Sequence, residues 1–259
     1  MNSTILQAEA AFADGEYAPQ RHALAISPRM YRKYAEPRYC WDWREFSAQL
    51  LGNVAEKALL DYGCGMGEEA VYFAKLGATV TAIDASQVGI DITRQRAAFN
   101  GQADRVQAFV MDATHCTFPD NSFDLIHGLG ILHHIGLQEG LGQVHRLLKP
   151  GGVAVFLEPM GNIRFIENCK RWLHARLERD LDLVKVTEYE ENLKLRDIPS
   201  CAHQFSVVRA YPYHLSYRAR RLICPKVFHS LLERVDYQLL RIGPFLKPFA
   251  GAVVIHLRK

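Results

Sequence analysis

The strongest constraint on the fold is an alternation of short apolar runs with longer segments of helical periodicity between residues 57 and 158. Such alternation predicts parallel strands that are joined by crossover helices. The runs at residues 58–60 and 153–157 are continuously apolar, as expected for strands that helices cover on both faces. We therefore predict a doubly wound α/β sheet. The predicted strands have the sequences ALLDY, VTAID, VQAFVMD, FDLIHGL and VAVFLE.

Chain length and composition fit one domain. A chain of 259 residues with 49% hydrophobic residues can build one large α/β core. No internal repeat, low-complexity tract or Ser/Gly-rich linker divides it. The charge balance nevertheless changes along the chain, because residues 1–158 contain 13 Lys and Arg against 18 Asp and Glu, whereas residues 159–259 contain 18 against 10. We interpret the second part as a basic elaboration of the same domain.

Cysteine spacing and the N-terminal sequence bear on the cellular setting. The six cysteines are far apart and none forms a C-x-x-C pair, so we expect a reducing compartment and no metal site. The N-terminal sequence lacks the basic start and apolar run of a signal peptide, and no stretch approaches the ~18 apolar residues that span a bilayer. We expect a cytoplasmic protein.

A glycine-rich segment lies between the first predicted strand and a predicted helix at residues 68–76. In DYGCGMG, residues 61–67, every second position from Gly63 is glycine, which lets the backbone turn sharply and approach a ligand closely. A dinucleotide-binding loop would have its third glycine at position 68, where this chain has Glu68. Glu68 and Glu69 in the first helical turn are unfavourable for a diphosphate and suit a cofactor that carries positive charge and no phosphate.

Acidic residues end the next two predicted strands. Asp84 lies 17 residues after Gly67, where a carboxylate can accept hydrogen bonds from both hydroxyls of a ribose, and NAD enzymes share this spacing. The third predicted strand ends at Asp112, and the fourth opens into residues 129–134. Open α/β sheets bind ligands at the carboxyl ends of their strands, so these residues are expected to form one site. A helix cap at Asp84 and an ordinary loop acid at Asp112 are the alternatives.

Five motifs in register resemble the class I S-adenosylmethionine-dependent methyltransferases. They are DYGCGMG, AID, MDA, NSFDLIHGLGILHHI and LLKPGG, and together they cover residues 57–160. The resemblance implies a Rossmann-like sheet of seven mostly parallel strands, with residues 252–257 as an antiparallel seventh strand. It divides the domain into N-terminal helices or a lid at residues 1–56, a cofactor-binding core at 57–160, and an acceptor-side elaboration with the last strands at 161–259.

The same resemblance implies S-adenosylmethionine as the cofactor and gives individual residues a role in binding it. Asp61 would hold the ammonium group, Asp84 the ribose and Asp112 the adenine amino group. The backbone near Leu129 would meet the amino-acid end of the cofactor. The implied loop and adenine-slot residues are Gly63, Gly65, Gly67, Ala85 and Ala113.

Three residues near the end of the fourth and fifth strands are candidates for acceptor chemistry. His133 and His134 follow the fourth strand, and an imidazole that titrates near pH 6.5 can take a proton from a hydroxyl. Glu158 ends the fifth strand and could orient a hydroxyl or amine. Packed or capping histidines and a helix-capping carboxylate are the alternatives.

One segment before the core and one after it each fit either surface packing or a functional contact. Residues 28–51 are rich in aromatics and predict one or two helices that pack on the sheet or form a lid. Residues 165–177 predict an amphipathic basic helix that packs on the surface or contacts lipid or an acidic acceptor. Beyond them we predict strands at 205–213 and 252–257 with a helix at 226–240. His203, Tyr211, Tyr213 and Tyr217 either face the site or lie exposed.

The function that these patterns favour is methyl transfer to a small-molecule acceptor, with oxygen slightly preferred over nitrogen. Residues 158–162 and 244–248 resemble those of bacterial small-molecule members of the family. An RNA or protein methyltransferase is one alternative, although no RNA-binding module accompanies the pI of about 8.5, and no nucleic-acid partner is expected. A cofactor-binding scaffold without activity is another. Peripheral membrane contact and the oligomeric state are left open.

Overall fold

A seven-stranded mixed sheet forms the centre of the molecule. The computed structural model describes residues 3–160, 193–216 and 229–259. Strands run in the order β3-β2-β1-β4-β5-β7-β6. β7 pairs antiparallel with both β5 and β6, and the other pairings are parallel. The strands are β1 Ala58–Tyr62, β2 Thr79–Asp84, β3 Val106–Val110, β4 Phe123–Leu129, β5 Leu148–Pro159, β6 Val207–Tyr213 and β7 Ala252–Arg258.

Helices connect and cover these strands. Three of them begin at side-chain caps. Ser27 accepts a hydrogen bond from Met30 N at the start of α2, Asp42 accepts from Arg44 N and Glu45 N at the start of α3, and Ser86 accepts from Gly89 N at the start of α5. The helices are α1 Ser3–Tyr17, α2 Pro28–Ala35, α3 Trp43–Leu51, α4 Glu68–Lys75, α5 Gln87–Phe99, α6 Leu132–Ile135, α7 Leu137–Leu147, α8 Ile198–Cys201 and α9 His229–Ile242.

Both faces of the central strands are buried, as their continuous apolar character predicts. Leu60 and Phe156 belong to an apolar cluster on one side of the sheet, and Leu59 and Val155 belong to a cluster on the other side. All four side chains are fully buried. The predicted doubly wound sheet and its antiparallel last strand are confirmed.

The aromatic segment before the core packs on the sheet. It forms α2 and α3. Tyr34 of α2 stacks on Tyr72 of α4 at 5.3 Å between ring centroids. Phe46 meets the ring of Tyr211 edge to face at 4.9 Å. These contacts support packing over a lid for residues 28–51.

The C-terminal helix and strand have other bounds in the structure than those predicted from the sequence. β6 begins at Val207, two residues after the predicted start, and Phe205 packs against the ring of His145 at 5.2 Å. α9 is described from His229 and continues to Ile242. The predicted amphipathic helix at 165–177 lies outside the described residues. Within the described part of the chain, no helix combines the length and apolar character needed to cross a bilayer.

Candidate active site

The carboxyl ends of β1, β2, β3 and β4 open into one cavity of about 770 Å³. Ligands bind at this edge of open α/β sheets. Most of the residues that the sequence predicts for the cofactor lie on its wall. They are Asp61, Gly63, Gly65, Asp84, Ala85, Asp112, Ala113 and Leu129.

The glycine segment after β1 makes the floor of the cavity. Gly63 and Gly65 have φ angles of +74° and +53°, which side-chain-bearing residues rarely adopt. A Cβ on Gly63 would lie 2.8 Å from the side chain of Ile131. Gly67 does not line the cavity, because it caps α4 with a φ of +72° and faces the side chain of Thr93. Its predicted contact with the cofactor is therefore not supported, and it serves the turn.

Asp84 joins the glycine loop to the end of β2. Its Oδ2 accepts a hydrogen bond from Gly65 N at 2.8 Å, and its Oδ1 accepts one from Ser86 N at 2.9 Å. Burial raises the pKa of Asp84, and these two backbone donors act against that rise. Each carboxylate oxygen has a second lone pair that a ligand hydroxyl can use.

Asp112 is held in a different way at the end of β3. Its Oδ1 accepts hydrogen bonds from Thr114 N at 2.8 Å and Thr114 Oγ1 at 2.7 Å. Burial opposes ionisation of Asp112, but the donors on Thr114 and His115 outweigh it and lower the pKa of the carboxyl group. Asp112 is an oriented acceptor on the cavity wall.

The charged part of the cavity wall is almost entirely acidic. No Lys or Arg belongs to the wall in the part of the chain that the structure describes. A cavity of this charge favours a cationic ligand and disfavours a diphosphate. The carboxylates on the wall are Glu9, Glu16, Asp61, Glu69, Asp84 and Asp112.

Of the three predicted acceptor-side residues, only His134 lines the cavity. Its Nδ1 lies 3.1 Å from Glu9 Oε2, and Glu9 also lines the cavity. His133 has its Nδ1 2.9 Å from Glu158 Oε2. Glu158 is fully buried, and its Oε1 accepts hydrogen bonds from Ile131 N and Leu132 N, both at 2.9 Å.

Glu158 and His133 therefore support the turn after β4. The carboxylate of Glu158 satisfies backbone donors at the start of α6, where helix N–H groups lack partners within the helix. Contact between Glu158 and an acceptor is not supported by this placement. The interpretation of Glu158 as a capping group and of His133 as a packed histidine fits the geometry.

The candidates from the C-terminal part stand apart from the cavity. Tyr213 is buried and donates its hydroxyl to Cys40 O at 2.6 Å. His203 is exposed, and Tyr211 packs on Phe46. Tyr217 lies outside the described residues.

The core of the chain is similar to known proteins. Residues 59–152 match the family model described as "Methyltransferase domain". This part of the chain is therefore similar to methyltransferase domains. The glycine loop and the acidic residues Asp61, Asp84 and Asp112 lie in that matched region, whereas β6 and β7 lie outside it.

Sequence relatives match just under half of this chain. A demethylmenaquinone methyltransferase of Clavibacter sepedonicus is 34% identical over 117 residues, which are 45% of this chain and 46% of the relative. The ubiquinone/menaquinone biosynthesis C-methyltransferase UbiE of Geotalea daltonii is 31% identical over 120 residues, 45% of this chain and 51% of the relative. This chain thus matches about half the length of these relatives.

Similar solved structures extend beyond that core. Geranyl diphosphate C-methyltransferase of Streptomyces coelicolor A3(2) has a TM-score of 0.58 at 19% identity, with 83% of this chain and 77% of that chain covered. The 4+2 cyclase SpnF has a TM-score of 0.54 at 19% identity, with 86% and 84% covered. Similarity at this level of identity shows the fold alone, and a fold alone does not decide the reaction.

The sequence did not predict that the N-terminal helix α1 lines the cavity. Helix α1 lines the cavity with Leu6, Glu9, Phe12, Ala13, Glu16 and Tyr17. Asp14 accepts hydrogen bonds from Ser86 Oγ and from Val88 N, the latter at 3.1 Å. The ring of Tyr17 approaches Gly89 so closely that a Cβ there would lie 3.1 Å from it. α1 lies within residues 1–56, for which N-terminal helices or a lid stay a prediction.

The contacts of Asp14 generate a prediction for α1. Asp14→Ala removes the acceptor of two hydrogen bonds that tie α1 to the start of α5. Amide protons of α1 should then exchange on the order of 5- to 30-fold faster, while the sheet is unaffected. Hydrogen–deuterium exchange with mass spectrometry measures this. The control is Gln7→Ala on the exposed side of α1, and unchanged exchange in Asp14→Ala would contradict the assignment.

Proposed function

We propose that this chain transfers a methyl group from S-adenosylmethionine to a small-molecule acceptor. The observation that carries the proposal is the cavity at the strand ends, which combines a glycine floor with six carboxylates and no Lys or Arg among the described wall residues. S-adenosylmethionine has a sulfonium and an ammonium group and no phosphate. Its charge therefore matches the wall that would surround it.

The residues present also fit the shape and hydrogen-bonding groups of this cofactor. Gly63 and Gly65 line the cavity without side chains of their own, so a ligand can approach their backbone. Asp61 Oδ2 is buried without a hydrogen-bond partner among the described residues and can accept from an ammonium group. Asp84 would accept from the ribose hydroxyls and Asp112 from the adenine amino group. Ala85, Ala113 and the backbone near Leu129 would complete the site.

The protein's share of the chemistry is alignment and exclusion of water. When bound, S-adenosylmethionine would supply an electrophilic methyl group, which an acceptor atom would attack in line while the bond to sulfur breaks and S-adenosylhomocysteine leaves. The chain has to hold the acceptor on that line and keep solvent out. Helix α1 lines the cavity with six residues, and Tyr17 at its end lies beside Gly65, so α1 contributes to both tasks.

The class of acceptor is proposed from similar proteins and from one residue of the cavity wall. The similar proteins named for demethylmenaquinone and geranyl diphosphate act on small molecules, and the family model matches residues 59–152. Oxygen is preferred over nitrogen because His134, on the cavity wall, can take a hydroxyl proton. We propose a small-molecule acceptor rather than RNA or protein. We also propose an active enzyme rather than a cofactor-binding scaffold without activity. The cytoplasmic location stays a prediction.

Calorimetry with three ligands tests the proposed cofactor. S-adenosylmethionine and S-adenosylhomocysteine should bind, whereas NAD should not, because carboxylates repel its diphosphate. Asp84→Asn should weaken binding of S-adenosylhomocysteine by about 1.5 to 3 kcal/mol, the scale of hydrogen bonds to a charged group. Asp91→Asn, an exposed change on α5, is the control. Binding of NAD at comparable strength would refute the cofactor assignment.

The two adjacent histidines provide matched variants for the acceptor chemistry. If the acceptor is a hydroxyl, His134→Gln should lower turnover about 10²- to 10⁴-fold, since it removes the base. His133→Gln should keep turnover close to that of the unchanged chain, because His133 contacts Glu158 away from the cavity. Turnover is measured with S-adenosylmethionine and a panel of phenols and amines.

The pH profile gives a second measurement on the same variants. A histidine base predicts activity that rises through roughly pH 6 to 7 and then levels, and this rise should vanish in His134→Gln. An amine acceptor would follow its own pKa instead. Equal turnover in both histidine variants would remove His134 from the mechanism.

A surface far from the cavity bears on the membrane contact that the sequence left open. α9 exposes Leu231, Val235, Leu239 and Ile242 at helical spacing, and Phe245 and Phe249 in the following 3₁₀ turn extend this apolar stripe. Exposed Arg234, Arg241 and Lys247 flank it. Residues 217–228, which lead into α9, contain four Lys or Arg and no acidic residue. Basic charge beside an apolar helix face suits an anionic lipid surface, which we propose as the occupant.

Vesicle sedimentation tests this surface. The protein should bind vesicles of phosphatidylcholine with phosphatidylglycerol more than vesicles of phosphatidylcholine alone, and added salt should weaken the binding. The double variant Ile242→Asp/Phe245→Asp should lose most of it. Phe99→Asp, an equally exposed change on α5, should retain it. Binding equal to that of the unchanged chain in the double variant, or a dimer that this variant dissociates, would overturn the assignment.

A further inference from the structure

A buried histidine stands directly beside the carboxylate that the proposed function gives to the ammonium group. Asp61 at the end of β1 pairs in register with His127 of β4. Neighbouring residues of paired parallel strands project from the same face of the sheet. His127 Nδ1 accordingly lies 3.6 Å from Asp61 Oδ1. Asp61 lines the cavity, whereas His127 is fully buried behind it.

Packing alone does not explain a histidine at this position. The ring of His127 meets Phe73 at 5.0 Å and Tyr34 at 6.3 Å between centroids, both edge to face. Within the described residues, neither ring nitrogen has a hydrogen-bond partner. An imidazole buried in this way is unfavourable for stability, and an apolar ring of similar size would fill the same space without that cost.

The other ionisable groups of this region are engaged with one another. Glu69 of α4 forms an ion pair with Arg44 of α3 and accepts a hydrogen bond from Tyr34 of α2 at 3.2 Å. On β4, the ionisable side chain next to Asp61 is that of His127. Burial raises the pKa of Asp61, and the nearby imidazole acts against that rise.

We infer that His127 is a positioning residue, which orients the Asp61 carboxylate toward the ammonium group of the bound cofactor without itself touching the ligand. The inference rests on the proposed function. It assigns His127 to one end of the cofactor only, because Asp84 and Asp112, which serve the ribose and adenine, are held by hydrogen bonds of their own. His127 should therefore matter for ligands with an amino-acid end and not for adenosine derivatives without one.

Two ligands and two variants test this separation by calorimetry. S-adenosylhomocysteine carries the amino-acid end, and 5′-methylthioadenosine lacks it. His127→Phe should weaken binding of S-adenosylhomocysteine about 10- to 100-fold and leave that of 5′-methylthioadenosine nearly unchanged. His127→Gln keeps an N–H donor and should recover part of the loss. In an Asp61→Asn background, His127→Phe should add little further loss, because its effect acts through Asp61.

The outcomes separate this inference from the proposed function. Equal weakening of both ligands would show that His127 only supports the fold, and unchanged binding of both would show no role; either result overturns the inference. If the unchanged chain binds neither ligand, the proposed function fails and the inference fails with it. Thermal unfolding checks that the variants are folded. Should His127→Phe unfold, His127→Gln carries the test with a smaller, still ligand-selective loss.

Discussion

The hydrogen bond from Gly65 N to Asp84 Oδ2 is the contact on which the rest of the site depends. It joins the loop after β1 to the end of β2 and holds backbone with positive φ over the strand ends. Asp84 also accepts from Ser86 N, where α5 begins, and α5 in turn carries the contacts of α1. One carboxylate thereby couples the floor of the cavity to its N-terminal wall.

Electrostatics dominate the character of this cavity. Several carboxylates share a partly buried space, which is unfavourable unless donors or cations compensate them. Thr114 compensates Asp112, Arg44 compensates Glu69, and backbone N–H groups compensate Asp84. Asp61 Oδ2 is buried with no hydrogen-bond partner among the described residues. A cationic ligand would therefore gain most at Asp61, which is where the ammonium group is proposed to bind.

Several elements could be predicted from the sequence because their signals are local. The predicted β4 coincides with the observed strand at Phe123–Leu129, since one apolar run ends at turns on both sides. β5 begins at Leu148, five residues before the prediction, because Leu148 pairs with Phe123 across a bulge. Lys149, Pro150 and two glycines interrupt the apolar run there, so the sequence shows no strand pattern at these positions. α1 had no such local signal, because it depends on contacts with residues more than 70 positions away.

The sequence by itself determined that the acidic residues of three strands would meet, because parallel strands place their carboxyl ends at one edge of a sheet. Only the tertiary structure decided which neighbouring side chains face the cavity. His134 lies on the wall while His133 points to Glu158, since successive residues of a short helix project about 100° apart. Gly67 and Glu158 likewise serve the backbone rather than the cavity, because the groups that engage them come from α5 and from the turn after β4. Such distant partners leave no pattern in the order of residues along the chain.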